Sequence, residues 1–258
     1  MKNIFLVIMA VLMTASCTKY DITGSTDLHD VDGRMMFLMS FTDGKLQNID
    51  SCDVVHGKFK FSGPLDSVSV VMLSMNDATV LPVVLEDGKI EIIVNAQTQE
   101  CKGTPLNDTL TIFNNRYRQL ISQMQDLSHQ QSQAIMNGED MDIVNQRLAI
   151  KEQELIMQED KLISAFIADN FDNCLGPYVF QMATGSYEYP MLTPWIEALM
   201  SKATDAFKKN AYVAEYMEMA KRNQDIMTGV VDAEPQLPQQ PILPTEGPTP
   251  NELAQPAE

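Results

Sequence analysis

The sequence predicts an α+β protein: an N-terminal antiparallel β-sandwich or open barrel, an α-helical domain, and a disordered proline-rich C-terminal tail. Three observations predict it. Glycine turns punctuate short apolar runs from Tyr20 to Asn95. Beyond Asn107 the apolar residues recur in steps of three and four. From Gly229 onward lie seven of the 13 prolines and no lysine or arginine.

The turns of the β region are Asp32-Gly33, Asp43-Gly44, His56-Gly57 and Asp87-Gly88. Such pairs supply the positive φ angles that tight hairpins need. Strands are expected at Met35–Phe41, Lys58–Phe61, Val68–Met75, Val80–Glu86 and Lys89–Val94. Lys58-Phe59-Lys60-Phe61 alternates cleanly, the mark of a strand with one buried and one wet face. Gly103-Thr104-Pro105-Leu106-Asn107 closes the region.

Leu110, Phe113, Tyr117, Leu120, Met124 and Leu127 then share one helix face. Asn107 or Asp108 is the expected N-cap. Asn137-Gly138 marks a turn into a second helix with apolar pairs at Leu148-Ala149, Leu155-Ile156, Leu162-Ile163 and Phe166-Ile167, so the two helices should pair antiparallel. Further helices are expected over Pro177–Ala183, Thr193–Ala203 and Asn210–Asn223, packed against the sheet. The 18 methionines read as gap fillers between helices. The tail lacks the apolar residues to offset its chain entropy, and its prolines favour an extended polyproline conformation. The expected boundaries are thus 1–16, 17–107, 108–228 and 229–258.

The first of these segments has the form of a secretory signal. Lys2 opens it, Ile4 to Met13 form the apolar run, and Thr14-Ala15-Ser16 provide small residues before Cys17. The run is shorter than the roughly 20 residues of a membrane-spanning helix. The small residues followed by Cys17 resemble the lipobox of bacterial lipoproteins. That resemblance implies cleavage before Cys17, acylation of its thiol, and a membrane partner reached through the lipid anchor. More than one acyl chain makes such an anchor stable. Thr18 to Thr23 would tether the folded body close to the bilayer.

Charge excludes one class of partner. At −17 the surface repels phosphate backbones, and no basic stripe offsets it, so nucleic acid is not an expected ligand. Three cysteines remain after Cys17. Cys52 and Cys101 lie in the β domain, where a bridge is one alternative and two buried free thiols the favoured other; Cys174 reads as core. His29, His56 and His129 are scattered without ligand spacing, so no metal site is expected. Asp27 to Gly33 is rich in carboxylates but reads as a solvated turn. No nucleophile elbow, phosphate-cradling loop or His-Glu-x-x-His is present, and no cofactor is implied. Tyr187, Tyr189 and Trp195 read as a plug between helices.

Asp43-Gly44, Ile49-Asp50-Ser51, Gly57 to Gly63, Leu85-Glu86-Asp87-Gly88 and Gly103 to Asn107 resemble, in order and spacing, domain of unknown function 4369. That family is common at the amino terminus of Bacteroidetes envelope lipoproteins, often ahead of a thioredoxin-like thiol-disulfide oxidoreductase domain. The resemblance implies an outer-membrane location. No Cys-x-x-C is present, so the oxidoreductase activity is not carried over. The expected function is a non-catalytic, lipid-anchored envelope module that binds or assembles with a protein partner. The alternatives are an accessory partner of a separate thioredoxin-like protein and a solute-binding protein with its pocket between sheet and helices.

Overall fold

The computed structural model describes residues 18–28, 31–42, 45–75, 78–96 and 98–230. Cys17, the signal segment, the Asp43-Gly44 turn and the tail beyond Val230 lie outside them. Eight strands come first: β1 (Lys19–Thr26), β2 (Met35–Thr42), β3 (Lys45–Asp53), β4 (Lys58–Pro64), β5 (Ser69–Met75), β6 (Ala78–Leu85), β7 (Gly88–Val94) and β8 (Gln99–Lys102). Six helices follow: α1 (Pro105–Met136), α2 (Met141–Asp169), α3 (Leu175–Thr184), α4 (Pro194–Lys202), α5 (Asp205–Lys208) and α6 (Ala211–Met227).

The strands form two four-stranded sheets, ordered β4-β1-β7-β8 and β3-β2-β5-β6, that face each other as an unclosed sandwich. Ile22, Phe61, Ile90 and Ile92 from the first sheet meet Met36, Leu38, Val71 and Leu73 from the second in one dry core. One pair departs from the antiparallel expectation: β1 and β7 run parallel, Tyr20 opposite Gly88 through Thr26 opposite Val94. A second correction concerns the tether. Lys19 is already in β1, so Thr18 alone separates Cys17 from the sheet.

Local chemistry explains the turns and close approaches. His56 (φ 50°) and Gly57 (φ 69°) both have positive φ. Val55 and Lys58 exchange backbone hydrogen bonds of 2.8 and 3.0 Å around them, as in the type I′ hairpin turn. Asp32 fastens this turn by accepting from the Gly57 N–H at 2.8 Å. Gly24 in β1 lies under the Phe59 ring, where an added Cβ would sit 2.0 Å from a ring carbon. The missing side chain at Gly24 thus leaves the space the ring occupies.

The alternating, half-wet pattern holds for β4 but not for β2 and β5. Met36, Leu38, Val71 and Leu73 point into the sandwich. Their neighbours Met39, Phe41, Val70 and Met72 are apolar too, and they occupy the outer face of the second sheet. Strands apolar on both faces need cover on both. The helices supply part of it: Val84 of β6 is fully buried in the helical core, with Val70 packed beside it.

That helical core gathers around Phe180 of α3, which is fully buried. Its ring centroid lies 5.3 Å from Tyr216, 5.7 Å from Phe207 and 6.2 Å from Trp195 and Tyr212. The plug expectation holds for Tyr187 and Trp195, which are partly buried against this core, with Trp195 Nε1 donating to the Tyr187 hydroxyl at 3.2 Å. Tyr189 is instead 61% exposed. The long α1/α2 pair carries its own smaller core of Leu120, Leu127, Val144, Leu148 and Leu155.

Asn107 is not the N-cap of α1. Thr104 holds that position, and Pro105 follows at the first helical position, where its missing N–H costs nothing. Asn107 lies fully buried in the first turn, and its amide reaches the backbone of β6.

Candidate functional site: an open apolar cleft

Two constellations stand out among the described residues. The first is the junction between the sandwich and α1. Asn107 Oδ1 accepts from the Val84 N–H at 2.8 Å and from the Cys101 thiol at 3.0 Å. Its Nδ2 donates to the Val84 carbonyl at 2.8 Å and the Thr104 hydroxyl at 2.9 Å. Glu86 Oε1 accepts from the Leu106 and Asn107 N–H groups at 2.9 and 3.0 Å. The Glu86 carboxylate, just beyond β6, thus caps a helix end whose own cap residue, Thr104, makes no side-chain capping hydrogen bond to the helix backbone. Negative charge at a helix N-terminus is also favourable electrostatically. Every polar partner in this cluster is used internally, so it reads as a rivet rather than a reaction centre.

The cysteines conform to that reading. Cys52, Cys101 and Cys174 are free thiols, so the bridge left open between Cys52 and Cys101 is not made; Cys52 sits on β3 of one sheet and Cys101 on β8 of the other. Burial pushes the Cys101 thiol up to about 12, helped by the nearby charges of Glu86 and Asp108. Burial pushes Cys174 to about 11, and Cys52 is raised as well, first by burial and then by Asp50 and Asp53. Thiols held protonated are poor nucleophiles.

Two outcomes follow. With a maleimide at pH 7.5, Cys101 should stay unlabelled until the chain is unfolded, as peptide mass mapping would show. Stability should also fall between about pH 9 and pH 12. There the unfolded chain sheds protons from Cys101 that the folded chain keeps, and the state binding fewer protons gains as pH rises. Urea melts at pH 8 and pH 10.5 with the same midpoint would contradict this.

The second constellation is the uncovered part of the outer sheet face. Between β2, β3 and β5 on one side and α3 and α6 on the other lies a cleft of about 700 Å³. Met39, Phe41, Val68 and Met72 form its floor on the sheet side. Tyr178, Met182 and Tyr212 form the helical wall, and Glu215 is the one charged residue among those lining it. Its rim is open: Phe41 is 57% exposed, Leu46 59% and Val68 46%. Cys174, expected in the core, is only partly buried and faces this cleft. Three methionines expected to fill gaps between helices line it too. Their flexible, polarizable side chains suit a surface that adapts to what lies on it.

Sequence reasoning offered a pocket between sheet and helices as one alternative but named none of the residues that line the cleft, because they come from segments more than 100 positions apart. The one legible signal was the unbroken apolar run Met35 to Met39, which does not alternate. Among the described residues, no group of three or more His, Cys, Asp or Glu side chains gathers at metal-ligating distance. No described helix is long and apolar enough to cross a membrane.

Comparison with known families adds one finding. The family model described as "Domain of unknown function (DUF4369)" matches residues 20–110. The match spans the sandwich and the first turns of α1. No curated protein and no solved structure matches the chain. The cleft straddles the boundary of the matched domain: its floor lies inside the match and its helical wall outside.

Proposed function

We propose that this chain is a non-catalytic binding module of the cell envelope, lipid-anchored through Cys17, whose cleft holds an extended apolar segment of a protein partner. The observation that carries the reading is the uncovered apolar face of the second sheet beside α3 and α6. Exposed apolar surface of this kind marks interaction sites in soluble bodies. The openness of the rim favours a polypeptide segment over a solute, because pockets for small molecules usually envelop most of the ligand. Aromatic and methionine side chains around one carboxylate favour an uncharged or weakly basic occupant. Burial raises the Cys52, Cys101 and Cys174 thiols, so the module itself offers no activated thiolate for redox chemistry.

Two experiments test the two halves. Tagged full-length protein, wild type and Phe41→Asp, would be used for affinity capture from detergent-solubilised envelopes. Phe41 is more than half exposed, so the substitution leaves the core intact. A partner retained by the wild type and lost from the variant supports the cleft; an identical set of partners removes it. For the anchor, cells are fed labelled palmitate. The wild type should incorporate label and Cys17→Ser should not, and equal signal would end the lipid reading.

A further inference from the structure

We infer that two copies of this chain associate through an exposed stripe on α2, the two helices running antiparallel about a twofold axis at Ile150. No residue of α2 lines the cleft, so this surface is independent of the cleft's occupant.

The other faces of α2 already have partners. Val144, Leu148 and Leu155 pack against α1 in a core built from those two helices alone, and Ile163 and Ile167 enter the helical core around Phe180. Ile143, Ile150 and Met157 belong to neither cluster, and they are 64%, 57% and 56% exposed. They stand seven residues apart. A helix turns about 100° per residue, so seven residues return to within about 20° of the same direction. The three side chains therefore form one line, about 140° round the helix from the face that Val144, Leu148 and Leu155 bury. A single exposed apolar residue is ordinary, but a seven-residue repeat is the spacing with which helices pair in coiled coils.

The charges beside the line say what covers it. Asp140, Arg147, Glu154 and Lys161 follow one flank, also seven residues apart and alternating in sign. Gln146 and Gln153 follow the other flank, which ends at Asp160. When two copies meet antiparallel with Ile150 on Ile150, equivalent flanks face each other and the chain order reverses. Arg147 then faces Glu154 of the second copy, and Glu154 faces its Arg147. Asp140 and Lys161 pair in the same way at the ends, and Ile143 meets Met157. A parallel pair would set the charged flank against the glutamines and leave the charges unmatched. Among the described residues, Arg147, Glu154 and Lys161 make no ion pair within one molecule. The stripe is thus complementary to itself in one orientation.

Exposed ion pairs contribute little individually, so they select the orientation while the apolar line provides the attraction. Each copy carries a net charge of −17. At physiological ionic strength charges are screened beyond about 8 Å, so that overall repulsion is muted while charges facing each other across the seam still act.

The test uses the chain from residue 17 to Glu258, which contains every described residue, with Cys17→Ser to keep it free of lipid. Sedimentation equilibrium at physiological salt should show a monomer–dimer equilibrium for this parent. Arg147→Glu makes positions 147 and 154 both negative, and Glu154→Arg makes them both positive. Each variant alone should dimerise about tenfold more weakly than the parent, or worse, because two like-charge contacts replace two attractive ones. An equimolar mixture of the two should dimerise as tightly as the parent, since every facing pair is again opposite in sign. Ile150→Asp should abolish association. All three positions are exposed, so thermal melts at low concentration should match the parent's. A parent that stays monomeric overturns the inference and leaves the stripe to a different protein. Single variants that dimerise like the parent overturn it too, as does a mixture no tighter than its components, since another face or orientation would then hold the copies.

Discussion

Asn107→Ala should destabilise the protein by about 3–5 kcal/mol. The change strips the Val84 N–H, the Val84 carbonyl and the Cys101 thiol of their buried partner, and each polar group orphaned in a dry site costs about 1–3 kcal/mol. It also removes an apolar-packed amide that fills the junction. For a chain of this size about 2–4 °C of melting temperature goes with each kcal/mol, so the midpoint should drop by roughly 10 °C. A fall of less than 2 °C would mean that water replaces the amide at no cost. Asn107→Asp separates shape from hydrogen bonding. It keeps an acceptor but loses the three Nδ2 donations to Val84, Thr104 and Glu86 and sets a second carboxylate beside Glu86, so its deficit should shrink as the solution is acidified.

Phe180→Ala should cost a comparable amount, about 3–5 kcal/mol, as expected for a large buried aromatic replaced by a methyl group. Phe180 joins α3 to Trp195 of α4, Phe207 of α5, and Tyr212 and Tyr216 of α6 through edge-on and tilted ring contacts. Such pairs contribute beyond the area they bury. The prediction has a second reading. Because Met182 on the same helix and Tyr212 on α6 wall the cleft, the substitution should also broaden the Met182 methyl resonance while leaving that of Met124 on α1 unaffected. Loss of stability without any change at Met182 would show that the wall is held by the sheet alone.

The order of elements was legible wherever a local rule operates. The positive-φ turn at His56-Gly57, the alternation of Lys58 to Phe61, and the stepped apolar residues of α1 each state their structure within a few positions. Three strands were not separately legible. β1 contains Gly24, a residue that usually weakens a strand, and its reason is the Phe59 ring more than 30 positions away. β3 is an edge strand, with Leu46 and Ile49 exposed, so burial imposes no alternation on it. β8 is only four residues long.

The site was less legible than the fold. Asn107 looked like a cap because Asn favours that role; its true role depends on β6 lying within reach. Pro105 was the better marker of the helix start. The cleft depends on how far two helices extend over a sheet, which no short stretch of sequence encodes. The non-alternating apolar residues of β2 and β5 did announce that both faces of that sheet seek cover. They could not say that the cover is incomplete.

The position of β1 has a mechanical consequence. The strand nearest the amino end is also an interior strand, paired along its length with β4 on one side and β7 on the other. Tension applied at Thr18 acts along this strand, so it loads two ladders in shear at once instead of peeling bonds open one by one. A body restrained at that end would resist being dragged far better than one restrained through a marginal hairpin.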